Sequence, residues 1–137
     1  MLHFRKLLSI STLTIAVLAS GCVKRVHFSS LAAARSGAAD ARVELTYNRN
    51  NAITVKLSDV PDPAEVNAKF TRYVLWVTTP DRRHIINIGQ LRVENHRAEL
   101  KTLTPLRRFV LFITTETDGD AMTPGPDVLF ESKEISW

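Results

Sequence analysis

From residue 42 onward, apolar and polar residues alternate with a period of two. Val43, Leu45 and Tyr47 alternate with Arg42, Glu44 and Thr46, and Ile53, Val55 and Leu57 alternate with polar partners. Successive side chains of a strand point to opposite faces, so this spacing predicts two half-buried strands. Between them, Asn48, Asn50 and Asn51 tolerate the left-handed backbone of a tight turn and predict a hairpin. Pro61 and Pro63 interrupt the pattern with a loop, and Asp62 ahead of Pro63 predicts a capped helical turn there.

Two later segments, 72–80 and 108–116, are rich in β-branched and aromatic residues on both faces, the composition of central strands. Residues 84–92 and 97–103 alternate more cleanly and carry Arg92 and Arg97, as strands with one wet face do, and 128–137 supplies a last strand. About seven short strands with almost no helix predict an all-β domain over 42–137. The expected form is a seven-stranded antiparallel β-sandwich resembling an immunoglobulin or fibronectin type III domain. A small closed barrel is the alternative. Tyr73, Trp76, Phe109 and Phe112 are expected to supply much of the core.

The start of the chain follows another rule. Arg5 and Lys6 precede an apolar run from Leu7 to Ala19, 13 residues long and interrupted by Ser9, Ser11, Thr12 and Thr14. A lasting membrane helix needs about 20 apolar residues. A basic start, a short apolar run and small residues before a cut are the parts of an export signal. The segment Leu18-Ala19-Ser20-Gly21-Cys22 resembles the lipobox of bacterial lipoproteins, with alanine where leucine is commonest. The resemblance implies a signal peptide over 1–21, cleavage between Gly21 and Cys22, and acylation of Cys22. Two or more acyl chains anchor a protein stably where one is marginal. In that family, aspartate directly after the cysteine favours inner-membrane retention. Val23 stands there, which implies the periplasmic face of the outer membrane in an envelope with two membranes. Residues 22–41, rich in Ala, Ser and Gly, are expected to be a flexible tether.

Charge changes the picture modestly. The chain has 18 lysines and arginines against 14 acids. Two of the bases lie in the leader, and the excess that remains does not suit a nucleic-acid partner. The bases concentrate between Lys69 and Arg108, and the acids from Glu116 onward. If Arg82, Arg92 and Arg97, with Arg83, turn one way, they form a positive face for an anionic partner; strand register decides that.

Chemistry is thinly represented. A single cysteine in an exported chain can make a disulfide only with another chain. No metal-ligand, nucleophile-elbow or phosphate-loop motif occurs. His84 and His96 are separated by a strand, and Glu116, Asp118, Asp120 and Asp127 lie in a loop whose Asp-Gly-Asp is foremost a turn sequence. Glu116, at the end of a central strand, is expected in an ion pair with an arginine or on backbone donors.

Tyr73, Trp76, Gly89, Phe112, Thr114, Glu116, Thr123, Pro124 and Val128 form a pattern that resembles the extracytoplasmic domain of K-type anti-sigma factors and related bacterial lipoproteins. It covers roughly residues 70–130. The family's cytoplasmic sigma-binding domain and membrane helix have no counterpart here, so the resemblance implies only an outer sensing or docking module. The expectation is a non-enzymatic, lipid-anchored envelope module that docks on a protein partner or envelope surface, with no cofactor beyond the lipid on Cys22. A small envelope enzyme or ligand-binding protein using His84, His96 or the loop 116–127 is the alternative, and it requires those groups to converge.

Overall fold

The computed structural model describes residues 21–137; the expected signal peptide, all but its last residue, lies outside them. The predicted hairpin forms from β3 (Ala38–Leu45) and β4 (Asn51–Ser58). In register, Val43 faces Ile53 and Ala41 faces Val55, all buried. Asp62 and Glu65 make the capping box of α1 (Pro63–Val66), a single turn. Then follow β5 (Arg72–Thr78), β6 (Ile85–Leu91), β7 (Arg97–Thr104), β8 (Arg108–Glu116) and β9 (Val128–Glu131).

These strands pack as two antiparallel sheets. One contains β3-β4-β7 and the other β9-β8-β5-β6, the two-sheet order of a fibronectin type III-like sandwich. Tyr73, Leu75 and Val77 of β5 and Phe109, Leu111 and Ile113 of β8 point inward against Val43, Ile53, Val55 and Leu57. Tyr73 also donates its hydroxyl proton to the Pro61 carbonyl at 2.8 Å. Burial, and then the nearby Asp62 and Glu65 carboxylates, raise its pKa far above the usual phenol value. Along one edge of the sandwich the Thr102 hydroxyl donates to the Ile88 carbonyl at 2.9 Å, joining β7 to β6.

β5 and β6 shift register between Leu75 and Trp76, a β-bulge that needs permissive backbone. Gly89 supplies it with φ 145°, and a Cβ there would lie 2.7 Å from the Leu100 side chain.

Two expectations are corrected. The segment 22–41 is not a free tether: β1 (Val23–His27) pairs with β3, and β2 (Ser29–Ser30) pairs with β9. The folded domain therefore begins at residue 23 rather than 42. Lys24 takes an inward position, with its ammonium donating to the Ser136 carbonyl and sitting 4.7 Å from the centre of the Trp137 ring. A long stem over apolar surface with a satisfied charge lets lysine occupy such a place.

Among the described residues the strands also number ten rather than seven. β1 and β2 account for two of the extra three. The third arises because the last segment splits into β9 and β10 (Ile135–Ser136), the latter on β8. At the break the buried Ser132 bonds Leu111 twice: its hydroxyl oxygen accepts the Leu111 N–H at 2.9 Å and its own N–H donates to the Leu111 carbonyl at 2.8 Å.

Candidate functional site

Antiparallel topology returns alternate connections to the same end of a sandwich. Cys22 lies at the end that carries the turns 46–50, 79–84 and 105–107 and the segment 132–134. It is exposed, and its carbonyl accepts the Leu45 N–H at 3.3 Å. Connections 31–37, 59–71, 92–96 and 117–127 lie at the opposite end.

This division decides what becomes of the arginines singled out in the sequence. Arg82 and Arg83 lie in the turn 79–84 at the Cys22 end, while Arg92 and Arg97 flank the β6–β7 turn at the other. The four do not form one positive face. Arg82 pairs with Glu131 and lies 5.9 Å from the centre of the Phe112 ring. Arg83 sits 3.6 Å from Asp81. The Asp81 carboxyl is held below the usual carboxylate range by the Thr79 hydroxyl, and also by the Arg83 backbone N–H and His84.

The histidines are separated in the same way. His84 precedes β6 and His96 follows it, so the length of a strand, about 3.4 Å per residue, lies between them. His96 has φ 62° and its neighbour Asn95 φ 51°. With reciprocal Glu94–Arg97 backbone bonds of 2.8 and 3.1 Å, this is the two-residue hairpin turn that requires left-handed residues. The His96 ring bonds the Val60 carbonyl through Nδ1 at 3.0 Å. These contacts give His96 a structural role.

Glu116 is buried, and of the two kinds of partner expected for it, an arginine or backbone donors, it has the second. Its Oε1 accepts the Thr114 hydroxyl and the Gly125 N–H, each at 2.6 Å. Thr114 in turn accepts the Trp76 indole N–H at 2.8 Å. Arg72 stands opposite in register, yet Glu116 forms no ion pair among the described residues. Its carboxylate is held by a hydroxyl and a loop amide instead. Trp76 stacks on Phe112 with centroids 6.2 Å apart, and Val74, Ala121 and Val128 complete a second small core on the outside of the β5–β8 sheet. Asn87 donates to the Gly119 and Ala121 carbonyls at 2.8 and 3.0 Å, fastening the loop 117–127 over that core. Asp118 accepts the Asp120 N–H at 3.0 Å as a turn. Among the described residues no three metal-ligating side chains converge.

In comparisons with known proteins, no family model, curated protein or solved structure matches the chain. The residues that carry the anti-sigma resemblance thus have an account within this fold. Trp76, Phe112, Thr114, Glu116 and Val128 build the second core and the network that closes its loop.

What the fold does assemble is a charge difference between the two ends. The connections at the Cys22 end hold five bases (Arg49, Arg82, Arg83, Arg107, Lys133) against two acids, Asp81 and Glu134. Those at the opposite end hold seven acids against three bases. Among the described residues Arg49, Arg107 and Lys133 make no ion pair.

Tyr47, 102% exposed, Leu103 at 57% and Ile86 at 51% lie at the basic end, together with the partly exposed Val23 and Ile85. Of these five, only Val23 had a functional meaning in the sequence, as the residue after the cysteine. Leu103 carries an available signal, since it is a large apolar residue at an outward position of a strand.

Proposed function

We propose that this chain is an exported, non-enzymatic module of the cell envelope, held to a membrane by lipid on Cys22 and docking there on a protein partner or envelope surface. The observation that carries the reading is the placement of Cys22. It is exposed, it follows the apolar run and small residues of an export signal, and the sandwich begins at the next residue, Val23. A thiol at that junction is open to acylation and takes no part in either core. The lipobox resemblance supplies the chemistry: a thioether on Cys22, cleavage after Gly21, and acylation of the new amino end. Val23 after the cysteine favours the outer membrane, periplasmic face, in a two-membrane envelope. The likeness to the outer domain of K-type anti-sigma factors supports a sensing or docking role.

The test is Cys22→Ala in the full chain, followed by intact mass and membrane fractionation. Loss of the lipid mass, of signal processing and of membrane retention is expected. Unchanged processing by the lipoprotein-specific peptidase, with persistent globomycin sensitivity, would refute the assignment.

A further inference from the structure

We infer that the Cys22 end of the sandwich is a membrane-contacting surface for anionic phospholipid headgroups, and that the acidic end is held away from the bilayer. The inference deepens the lipoprotein reading and relies on it for the choice of occupant.

Cys22 is joined to the sandwich without slack. Val23 is already in β1, and the Cys22 carbonyl is bonded to Leu45. Acyl chains on Cys22 would leave directly from the end of the sandwich, drawing the neighbouring turns 46–50 and 105–107 to headgroup level.

Exposed apolar surface gathers at the same end. Of the seven large apolar side chains exposed among the described residues, Val23, Tyr47, Ile85, Ile86 and Leu103 lie at this end; only Leu31 and Met122 lie elsewhere. Val23 and Leu103 occupy one register row, Val23–Glu44–Ala52–Leu103, at opposite edges of their sheet. The Thr102–Ile88 bond brings Leu103 and Ile86 toward the same corner. Tyr47 projects beyond them from the turn.

Positive charge accompanies the apolar side chains. Arg49 sits two residues from Tyr47, and Arg107 follows β7 by three, both exposed. An aromatic ring and scattered aliphatic side chains interleaved with unpaired arginines suit the layer between hydrocarbon and headgroup. A protein interface would instead concentrate its apolar groups and exclude charge from its centre. Each base near an anionic surface is worth about 1 kcal/mol, or about fivefold in affinity. The seven acids at the other end make the reverse orientation unfavourable on the same membrane.

The experiment separates docking from anchoring. Residues 23–137 contain all ten strands and both cores, so the chain from residue 22 carrying Cys22→Ala retains the folded unit without lipid. Its sedimentation with vesicles of phosphatidylcholine alone is compared with that on vesicles containing phosphatidylglycerol, in low and high salt. Binding only to the anionic vesicles, weakened by salt, is expected. Arg49→Gln with Arg107→Gln should lower it on the order of tenfold, while Arg35→Gln and Arg92→Gln at the far end should leave it within about twofold. Equal binding to both vesicle types, no binding to either, or equal loss in the two double variants would overturn the docking surface. In the acylated full chain, a nitroxide on Tyr47→Cys should be shielded from an aqueous relaxation agent and one on Asp120→Cys accessible. Equal accessibility would also overturn the orientation. Absence of lipid mass on Cys22 would instead defeat the anchor and leave the vesicle result standing on its own.

Discussion

Replacing Glu116 by alanine tests whether its carboxylate closes the 117–127 loop or waits for a ligand. One oxygen, Oε1, accepts two short hydrogen bonds, from the Thr114 hydroxyl and the Gly125 N–H, at 2.6 Å each. Hydrogen bonds to charged groups contribute about 1.5–3 kcal/mol apiece to stability. Part of that is offset by the cost of drying the carboxylate, whose residue is 8% exposed. Glu116→Ala should therefore cost about 3 kcal/mol, leaving the Gly125 amide unsatisfied and loosening the lid over Trp76 and Phe112. Glu116→Gln keeps an acceptor oxygen without the charge and should cost about 1–2 kcal/mol. For a domain of this size, 3 kcal/mol corresponds to a fall in Tm on the order of 10 °C. Urea titration followed by tryptophan fluorescence measures the loss, since Trp76 is fully buried, and limited proteolysis should show earlier cleavage within 117–127. A cost below about 0.5 kcal/mol for Glu116→Ala would refute the closing role. Equal costs for alanine and glutamine would show that acceptor geometry contributes nothing.

Other consequences are equally open to measurement. Gly89→Ala meets both an unfavourable φ of 145° and the Leu100 side chain at 2.7 Å, and should lower stability by about 2–4 kcal/mol in denaturant titration. A change under about 0.5 kcal/mol would mean that the bulge does not need glycine. Because burial raises the Tyr73 pKa, the folded state favours the neutral phenol. That contribution is complete below the unfolded value of about 10 and is lost as pH rises above it. Stability should fall on the alkaline side, and Tyr73→Phe should flatten the fall while costing about 1 kcal/mol at neutral pH for the bond to Pro61; an unchanged alkaline slope would contradict this. Ser132→Ala removes the acceptor for the Leu111 N–H and should cost about 1–2 kcal/mol, with faster amide exchange at Leu111 in NMR. Protection equal to the parent protein would mean that the Ser132 hydroxyl does not hold the Leu111 amide.

The strands from 42 onward were legible because half-buried strands must alternate, and the two apolar segments were legible as central strands because both their faces are covered. β1 was not legible. Its inward positions are Lys24 and Val26, and lysine occupies one of them only because Ser136 and Trp137, more than a hundred residues away, receive its ammonium. Glu116 was legible as a strand-end carboxylate in need of partners, but Gly125 became its partner through the path of a loop whose course no local pattern specifies. The arginines illustrate the same limit. Arg82, Arg83, Arg92 and Arg97 form one cluster in the chain, yet β6 carries the chain from one end of the sandwich to the other between the two pairs.

Local chemistry was thus enough to determine the strand content and the capped turn at Asp62, because each depends on neighbours a few residues away. Tertiary structure alone decided where the domain begins, what holds Glu116, and which end gathers the bases. Those outcomes depend on antiparallel pairing, which brings distant residues within contact distance and sends near neighbours in sequence to opposite ends.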